Sequence, residues 1–409
     1  MADYFIKDST LKSIADAIRV HTGNTGDLYP NAMADAIRNE FQNTRQLIER
    51  TRTTITHNGI TSIGPYAFYN YSGLEAVVFP NCSSVDSTAF SMCTNIKNIT
   101  FGLTELTGTN FPLDSTAATT LETATFPSCS TIGHNGLYGC AAIKEVYLPV
   151  CTTASTTAFA YRKLQSVTIG LSEFTSANNV FGSISSTVTT MNLPECVQIT
   201  NAAFKDYAKL KTVNAPKCAT VGTSAFAGCI KLTSPNFPVC TEIGTSAFWN
   251  CSGLTSVSFP ACTTVAPYAF MDCIGLSVID LPTCTSIGTS AFRSCTTLVS
   301  ISCPNCQIID VGAFTDCNSL GIIDLPACTS IGNSAFYKCI RLSEVVLRGS
   351  SVVSLDNSAA FNSTPITNSS YMSGYGSIYV PASLVQRYQK TINWMDIASR
   401  ITAIPENDM

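Results

Sequence analysis

The sequence predicts a solenoid of stacked 22-residue turns over residues 53–381, each turn carrying a β-strand and a short helical or 3-10 turn. Three observations lead there. The phenylalanines of successive Ala-Phe dipeptides, Phe204, Phe226, Phe248, Phe270, Phe292, Phe314 and Phe336, are each 22 residues apart. Cysteines recur at the same interval in two columns. Charged residues make up only 12% of the 409-residue chain, about half the usual share, while 45% is hydrophobic, which is ample material for a core running along a stack.

Upstream, the register continues through Phe68, Phe90, Phe111, Leu137, Phe159 and Phe181, giving 13–14 turns. Two turns, near 102–121 and 170–188, open on Gly102-Leu103-Thr104-Glu105-Leu106 and Gly170-Leu171-Ser172-Glu173-Phe174 in place of a Pro-x-Cys segment. The spacing predicts that these two project differently from the rest.

The unit 254–275 reads LTSVSFPACTTVAPYAFMDCIG. Val257 and Phe259 alternate with Ser256 and Ser258, the period of a strand with one buried face. Pro260 ends the strand because it cannot donate to a further ladder bond. Val265, Ala269 and Phe270 are spaced four and five apart, which predicts the helical or 3-10 turn on the opposite wall. One turn cannot bury its apolar face alone, whereas a stack buries a continuous core, about 60 Å long at about 4.8 Å per strand.

Leu254, Val257, Phe259 and Cys262 fit the L-x-x-L-x-L-x-x-N/C signature of a leucine-rich repeat. LPTCTSIGTSAFRSCTTL (281–298) and LPACTSIGNSAFYKCIRL (325–342) resemble the BspA-like leucine-rich repeats over about four fifths of the chain. That resemblance implies a leucine-rich-repeat solenoid, and a role as an adhesin or surface-displayed binding protein of bacteria or their phages. It carries function only by analogy.

Most of the nineteen cysteines fall on the repeat. One column follows the strand: Cys196, Cys218, Cys240, Cys262, Cys284, Cys306 and Cys328. The other follows Ala-Phe: Cys229, Cys251, Cys273, Cys295, Cys317 and Cys339. Cys82, Cys93, Cys129, Cys140 and Cys151 begin the same pattern. Small buried thiols at the two corners of each turn, capping loop carbonyls, account for them best. Disulfides within a column are the second reading, with strand spacing at the short end of what a bridge tolerates. A metal site is the third, and Cys303-Pro304-Asn305-Cys306 lacks the further ligands it needs. Neither metal nor cofactor is expected.

Residues 1–50 stand apart. SIADAIR (13–19) and AMADAIR (32–38) are a duplication, and Leu11, Ile14, Ala15 and Ile18 share one helical face behind Ser9. A helical module is predicted, serving as a cap, an attachment or a site of homo-oligomerisation. It resembles short N-terminal modules of phage tail-associated and prophage-encoded proteins. Asp3, Lys7, Asp8 and Lys12 interrupt any signal-peptide core, so the chain is expected to be made in the cytoplasm without a leader. At the other end, residues 382–409 are predicted to cap the stack through Leu384, Tyr388, Trp394, Ile397 and Ile401.

The net charge of −4 gives no footprint for nucleic acid, and no stretch is apolar enough to insert in a membrane. His21, His57 and His134 form no ligand pair or triad, so no enzyme is predicted. A polysaccharide depolymerase would have to use Asp280 and Asp324, which at about 10 Å lie outside the usual glycosidase separation. What remains is a surface. The strand face offers Asn214, Asn236, Asp280 and Asp324 among small hydroxyl residues, and the position after Ala-Phe varies as Tyr69, Trp249, Met271, Arg293 and Tyr337. These nine are the candidate binding residues, for a protein or a cell-surface glycan. Virion association is the leading expectation, with a cell-surface adhesin or an intracellular interaction scaffold as alternatives.

Overall fold

Alternation of apolar and small polar residues is realised as a stack of short parallel strands, in a computed structural model that describes residues 53–114, 117–137, 139–159, 163–174, 186–367 and 375–405. The helical module read for residues 1–50, Phe181 and the last four residues lie outside those described. The described chain forms two compact units. The first runs to Leu171 and includes Ser186 and Thr187; the second holds Ser172–Phe174 and the chain from Val188 onward.

Each unit is a parallel β-solenoid. The first has six principal strands, from Thr54–Thr56 to Ser166–Ile169. The second has nine, from Thr190–Asn192 to Ser377–Val380, followed by Ile401–Ala403. The two units together hold fifteen principal strands where the phenylalanine register predicts 13–14 turns: Ala360-Phe361 lies 25 residues after Phe336, off the 22-residue interval, and the strand Ser377–Val380 has no Ala-Phe after it. In the regular run, register steps by one repeat: Val257 pairs with Ile279 and Ile279 with Ile301. The central residue of each such strand points inward and its neighbours face solvent, as with Ile279 between Val278 and Asp280.

The rest of each turn differs from expectation. No helical turn repeats along the wall; among the described residues helices are few and short, with Val385–Lys390 the α-helix. In its place stands a second column of two-residue parallel strands, such as Thr264–Val265 paired to Ser286–Ile287. The Ala-Phe segment then forms tight turns with two left-handed residues four apart. Ser224, Ser246, Tyr268, Ser290 and Ser334 (φ 53 to 61°) make one column, and Asn250, Asp272, Ser294, Asp316 and Lys338 (φ 55 to 62°) the other. These kinks send alternate N–H groups in different directions. Those of Ser224, Phe226 and Gly228 donate to Thr245, Ala247 and Trp249 of the next turn, while those of Ala225, Ala227 and Cys229 fold back on Gly222, Ser224 and Phe226. Every donor is used without a helix, so the apolar spacings of four and five reflect a turn and not a helical face.

The two aberrant turns keep register with the turn that follows, but the short-strand ladder breaks ahead of the first: Ser84–Val85 pairs with Ser62–Ile63 and not with Glu105–Leu106. Glu105–Leu106 pairs with Thr131–Ile132, and Glu173–Phe174 with Gln198–Ile199. Gly102 and Gly170 make this geometry available: a Cβ there would lie 2.4 Å from the Pro80 carbonyl oxygen and 2.2 Å from that of Pro149. Only glycine lets the chain round the corner so close to the preceding turn.

The core of the second unit is a phenylalanine stack. From Phe204 through Phe336 to Phe361, successive ring centroids are 5.2 to 5.5 Å apart with planes within 11°. Trp394 closes it, 6.1 Å from Phe361, with its indole N–H donating to the Val353 carbonyl at 2.8 Å. Tyr388 meets Trp394 edge-on at 5.1 Å, and its hydroxyl accepts from the Val353 N–H. Leu384, Ile397 and Ile401 are buried beside them.

Candidate binding surface

All nineteen cysteines are buried free thiols. The two columns use their S–H groups differently. In the strand column, Cys262 donates within its own turn to the Thr264 carbonyl at 3.3 Å, and Cys218, Cys240, Cys284, Cys306 and Cys328 repeat the contact. In the Ala-Phe column, Cys273 donates to the carbonyl of Phe248, 25 residues earlier, at 3.0 Å. Cys229, Cys251, Cys295, Cys317 and Cys339 do the same to the phenylalanine before them. Each of those carbonyls already accepts a turn N–H, so the thiol fills its second lone pair. Burial pushes the thiols up, Cys273, Cys262 and Cys229 to about 12 and Cys284 to about 11. Thiols held protonated like this are poor nucleophiles and poor metal ligands. Cys303, in the inward slot of its strand, is raised by a hydrogen bond with Cys306 and then by burial. Among the described residues no group of three or more His, Cys, Asp and Glu side chains is disposed to hold a metal ion.

The nine candidate residues are not brought together. They lie on two walls, and Tyr69 belongs to the first unit while the other eight belong to the second. On the strand wall, the Asn236 amide donates to the Asn214 side-chain oxygen at 2.7 Å. Asp280 accepts from the Ser258 hydroxyl at 3.3 Å, and the Arg348 guanidinium engages Asp324 at 3.0 and 3.2 Å. Both carboxylates thus have local partners, and exposed Val278, Val299 and Ile322 lie among these strands.

On the Ala-Phe wall, Trp249, Met271 and Arg293 follow one another in consecutive turns. The Asn250 N–H donates to the Met271 carbonyl at 2.8 Å and the Asp272 N–H to that of Arg293 at 2.9 Å, which fixes their register. Trp249 is 43% exposed, and its indole N–H donates to the Asp272 carboxylate at 3.0 Å. Tyr337 is half-buried with the Lys338 ammonium 5.3 Å from its ring centre, a cation–π contact. Tyr69 packs edge-on against Tyr66 at 5.8 Å.

Two features were not visible to sequence reasoning. Tyr66 and Tyr268 hold left-handed backbone where other turns place serine, and the signal was the Pro-Tyr that replaces Thr-Ser in GPYAFYN and APYAFMD. A shallow notch of about 410 Å³ in the first unit is lined by Thr107, Gly108, Thr109, His134 and Asn135. It arises where the turn 102–121 lacks an Ala-Phe segment. The His134 ring nitrogen Nδ1 pairs with the Thr157 hydroxyl at 2.7 Å, which in turn lies 3.2 Å from that of Ser155. His57 accepts the Gly59 N–H, and His21 lies outside the described residues.

The family model for the BspA type leucine rich repeat region matches residues 61–188, 117–233, 175–282 and 263–382. Among solved structures, a leucine-rich repeat protein from Bacteroides ovatus is 18% identical, covering 87% of this chain and 91% of that one at a TM-score of 0.39. A leucine rich cell surface protein from Faecalibacterium prausnitzii is 21% identical over 87% and 90%, with a TM-score of 0.35. A chain of the Drosophila Toll–Spatzle complex is 12% identical over 87% and 55%, with a TM-score of 0.51, a likeness of fold alone. No curated protein matches the chain.

Proposed function

The chain belongs to the BspA-type leucine-rich-repeat family, and on that premise we propose that it is a non-catalytic binding protein, carried on a virion or a cell surface, that recognises protein or glycan. Leucine-rich-repeat proteins are typically surface or binding proteins. The observation that carries the reading is the separation of duties within each turn. Inward positions repeat phenylalanine, cysteine and aliphatic residues with little change, whereas the column after Ala-Phe runs Trp249, Met271, Arg293, Thr315, Tyr337, exposed at Trp249 and Arg293, half-buried at Met271 and Tyr337 and buried at Thr315. An architecture that holds its core constant while this column changes is suited to displaying contacts. The candidate binding residues Tyr69, Trp249, Met271, Arg293, Tyr337, Asn214, Asn236, Asp280 and Asp324 belong to this reading, and the first 50 residues serve attachment.

Among the described residues no helix is long and apolar enough to cross a membrane. The test is direct. Labelled protein is incubated with a panel of intact bacterial cells and, in parallel, with immobilised soluble fractions of the same cells. Saturable binding to intact cells of some members of the panel is expected, and deleting residues 1–50 should leave that binding intact while abolishing incorporation into particles or display. Binding confined to a discrete soluble partner would replace this reading with an interaction scaffold. Release of oligosaccharide from capsule, lost in Asp280→Asn, would replace it with an enzyme.

A further inference from the structure

Exposed tryptophans that keep their indole N–H engaged are pre-organised, because the ring cannot rotate without losing the bond. Trp249 is such a residue: 43% exposed, its N–H is held by Asp272 of the next turn at 3.0 Å. Its indole is therefore tied to two successive turns while the residue stays 43% exposed. Beside it, the turn that bears Asp272 begins at Tyr268, a 40% exposed tyrosine in left-handed conformation (φ 61°). That backbone is unfavourable for a bulky residue, and equivalent turns use Ser224, Ser246, Ser290 and Ser334 instead. An aromatic ring is thus present where the fold prefers serine. Arg293 adds an exposed guanidinium one turn beyond Met271 in the same column as Trp249.

We infer that Trp249, Tyr268, Asp272 and Arg293 form a glycan-binding platform on the Ala-Phe wall, with a pyranose ring stacking on the indole. The inference rests on the binding function proposed above and names its ligand class. A pyranose presents an apolar C–H face ringed by equatorial hydroxyls. The platform presents the complement: an exposed indole hydrogen-bonded to the Asp272 carboxylate, with the exposed Arg293 two turns along the same column. A protein partner is the weaker fit. A standard protein interface takes about 800 Å² from each side and centres on a desolvated pocket, whereas this platform is two aromatic and two charged residues on successive tight turns. Because Asp272 and the tight turns hold the rings in place beforehand, little ordering entropy is lost on binding.

The chain supplies its own reporter. It has two tryptophans, and Trp394 is fully buried, so emission that acrylamide quenches belongs to Trp249. The experiment screens wild-type protein on an array of neutral and acidic oligosaccharides, titrates the strongest hit by calorimetry in every variant, and follows tryptophan emission where Trp249 is present. Trp249→Ala, Asp272→Ala and Tyr147→Ala variants are run alongside, with the Trp394 emission of each confirming its fold. Expected results are a blue shift with protection from acrylamide on binding, and affinity loss of at least about tenfold in Trp249→Ala. Asp272→Ala should lose several-fold, and Tyr147→Ala, at an exposed position on the strand face of the first unit, should match wild type. A hit retained in Trp249→Ala overturns the platform. No hit from a protein that still binds intact cells overturns the platform alone and leaves the binding function standing. Failure of both assays overturns the two together.

Discussion

The second unit and the first are built from the same turn, yet they carry different loads. From Phe204 to Phe361 the aromatic stack is unbroken, with each ring nearly parallel to the next. In the first unit Phe68 stacks on Phe90 at 5.0 Å, but Phe111 meets Phe126 edge-on at 6.4 Å and Leu137 takes the place of a ring. The second unit holds fourteen thiols and the first five. Regularity inside and variety outside go together. The regular run carries the exposed Trp249, Tyr268 and Arg293 on an unperturbed backbone, whereas the irregular unit yields a notch by omitting a segment.

The largest effect should come from alkali. Burial raises Cys229, Cys240, Cys262, Cys273 and Cys328 to about 12 in the second unit, against Cys129 at about 12 and Cys82 at about 11 in the first. A thiol that ionises near 9 when unfolded and near 12 when buried adds stability that is whole below pH 9 and is lost as pH rises toward 12. Stability should therefore be level up to pH 8 and fall between pH 9 and 12, more steeply in the second unit. Hydrogen exchange resolved by region and read against pH measures this; equal slopes in both units would contradict the thiol explanation.

Next in size is truncation of a stacked ring. Phe270 lies between Phe248 at 5.2 Å and Phe292 at 5.3 Å and is fully buried. Phe270→Ala should cost about 3–5 kcal/mol, the usual range for a buried phenylalanine with a rigid surround. Phe111→Ala, with one tilted neighbour and slight exposure, should fall at or below the bottom of that range. Urea unfolding of the two variants compares them, and equal losses would mean that stacking adds nothing beyond burial.

Close backbone approach should cost less. In the first unit a Cβ at Gly170 would sit 2.2 Å from the Pro149 carbonyl oxygen; in the second, one at Gly275 would sit 2.4 Å from that of Ser252. Both contacts are to backbone, which cannot swing aside. Gly170→Ala and Gly275→Ala should each lose about 1–3 kcal/mol. The loss at Gly170 gauges how much the aberrant turn depends on its glycine corner, and a neutral variant there would show that the turn can shift outward.

The solenoid and its parallel strands were legible because a 22-residue period leaves its mark on every inward position, Phe270 and Cys262 alike. The second strand column was not. Thr264–Val265 is two residues long, too short for any alternation to register. The left-handed pairs were hidden for a different reason. Serine at 224, 246 and 290 reads as a generic small residue, and only the Asp, Asn and Gly at the second position hint at positive φ. As for the site, the varied column could be read, but its partner could not. Asp272 is 23 residues from Trp249 and reaches it only because the turns stack, so its hydrogen bond is a fact of packing. Separation of Asn214 and Asn236 from Trp249 onto different walls is equally a matter of where the chain turns.

The smallest effect tests whether those left-handed positions are tolerated or strained. Met92 in the first unit (φ 65°) and Asn250 in the second (φ 55°) hold equivalent places. Left-handed backbone costs an ordinary side chain roughly 1–2 kcal/mol, and asparagine less because its amide satisfies local groups. Glycine removes that cost but gives up about 0.5–1 kcal/mol through the freedom of the unfolded chain. Met92→Gly should thus come out stabilising by less than about 1 kcal/mol, while Asn250→Gly should be neutral or slightly destabilising. The opposite signs are what thermal unfolding has to resolve. If both variants destabilise, the ladder of Ala-Phe hydrogen bonds must already relieve the strain, and the exposed tyrosine at 268 would then need no compensating contact to persist there.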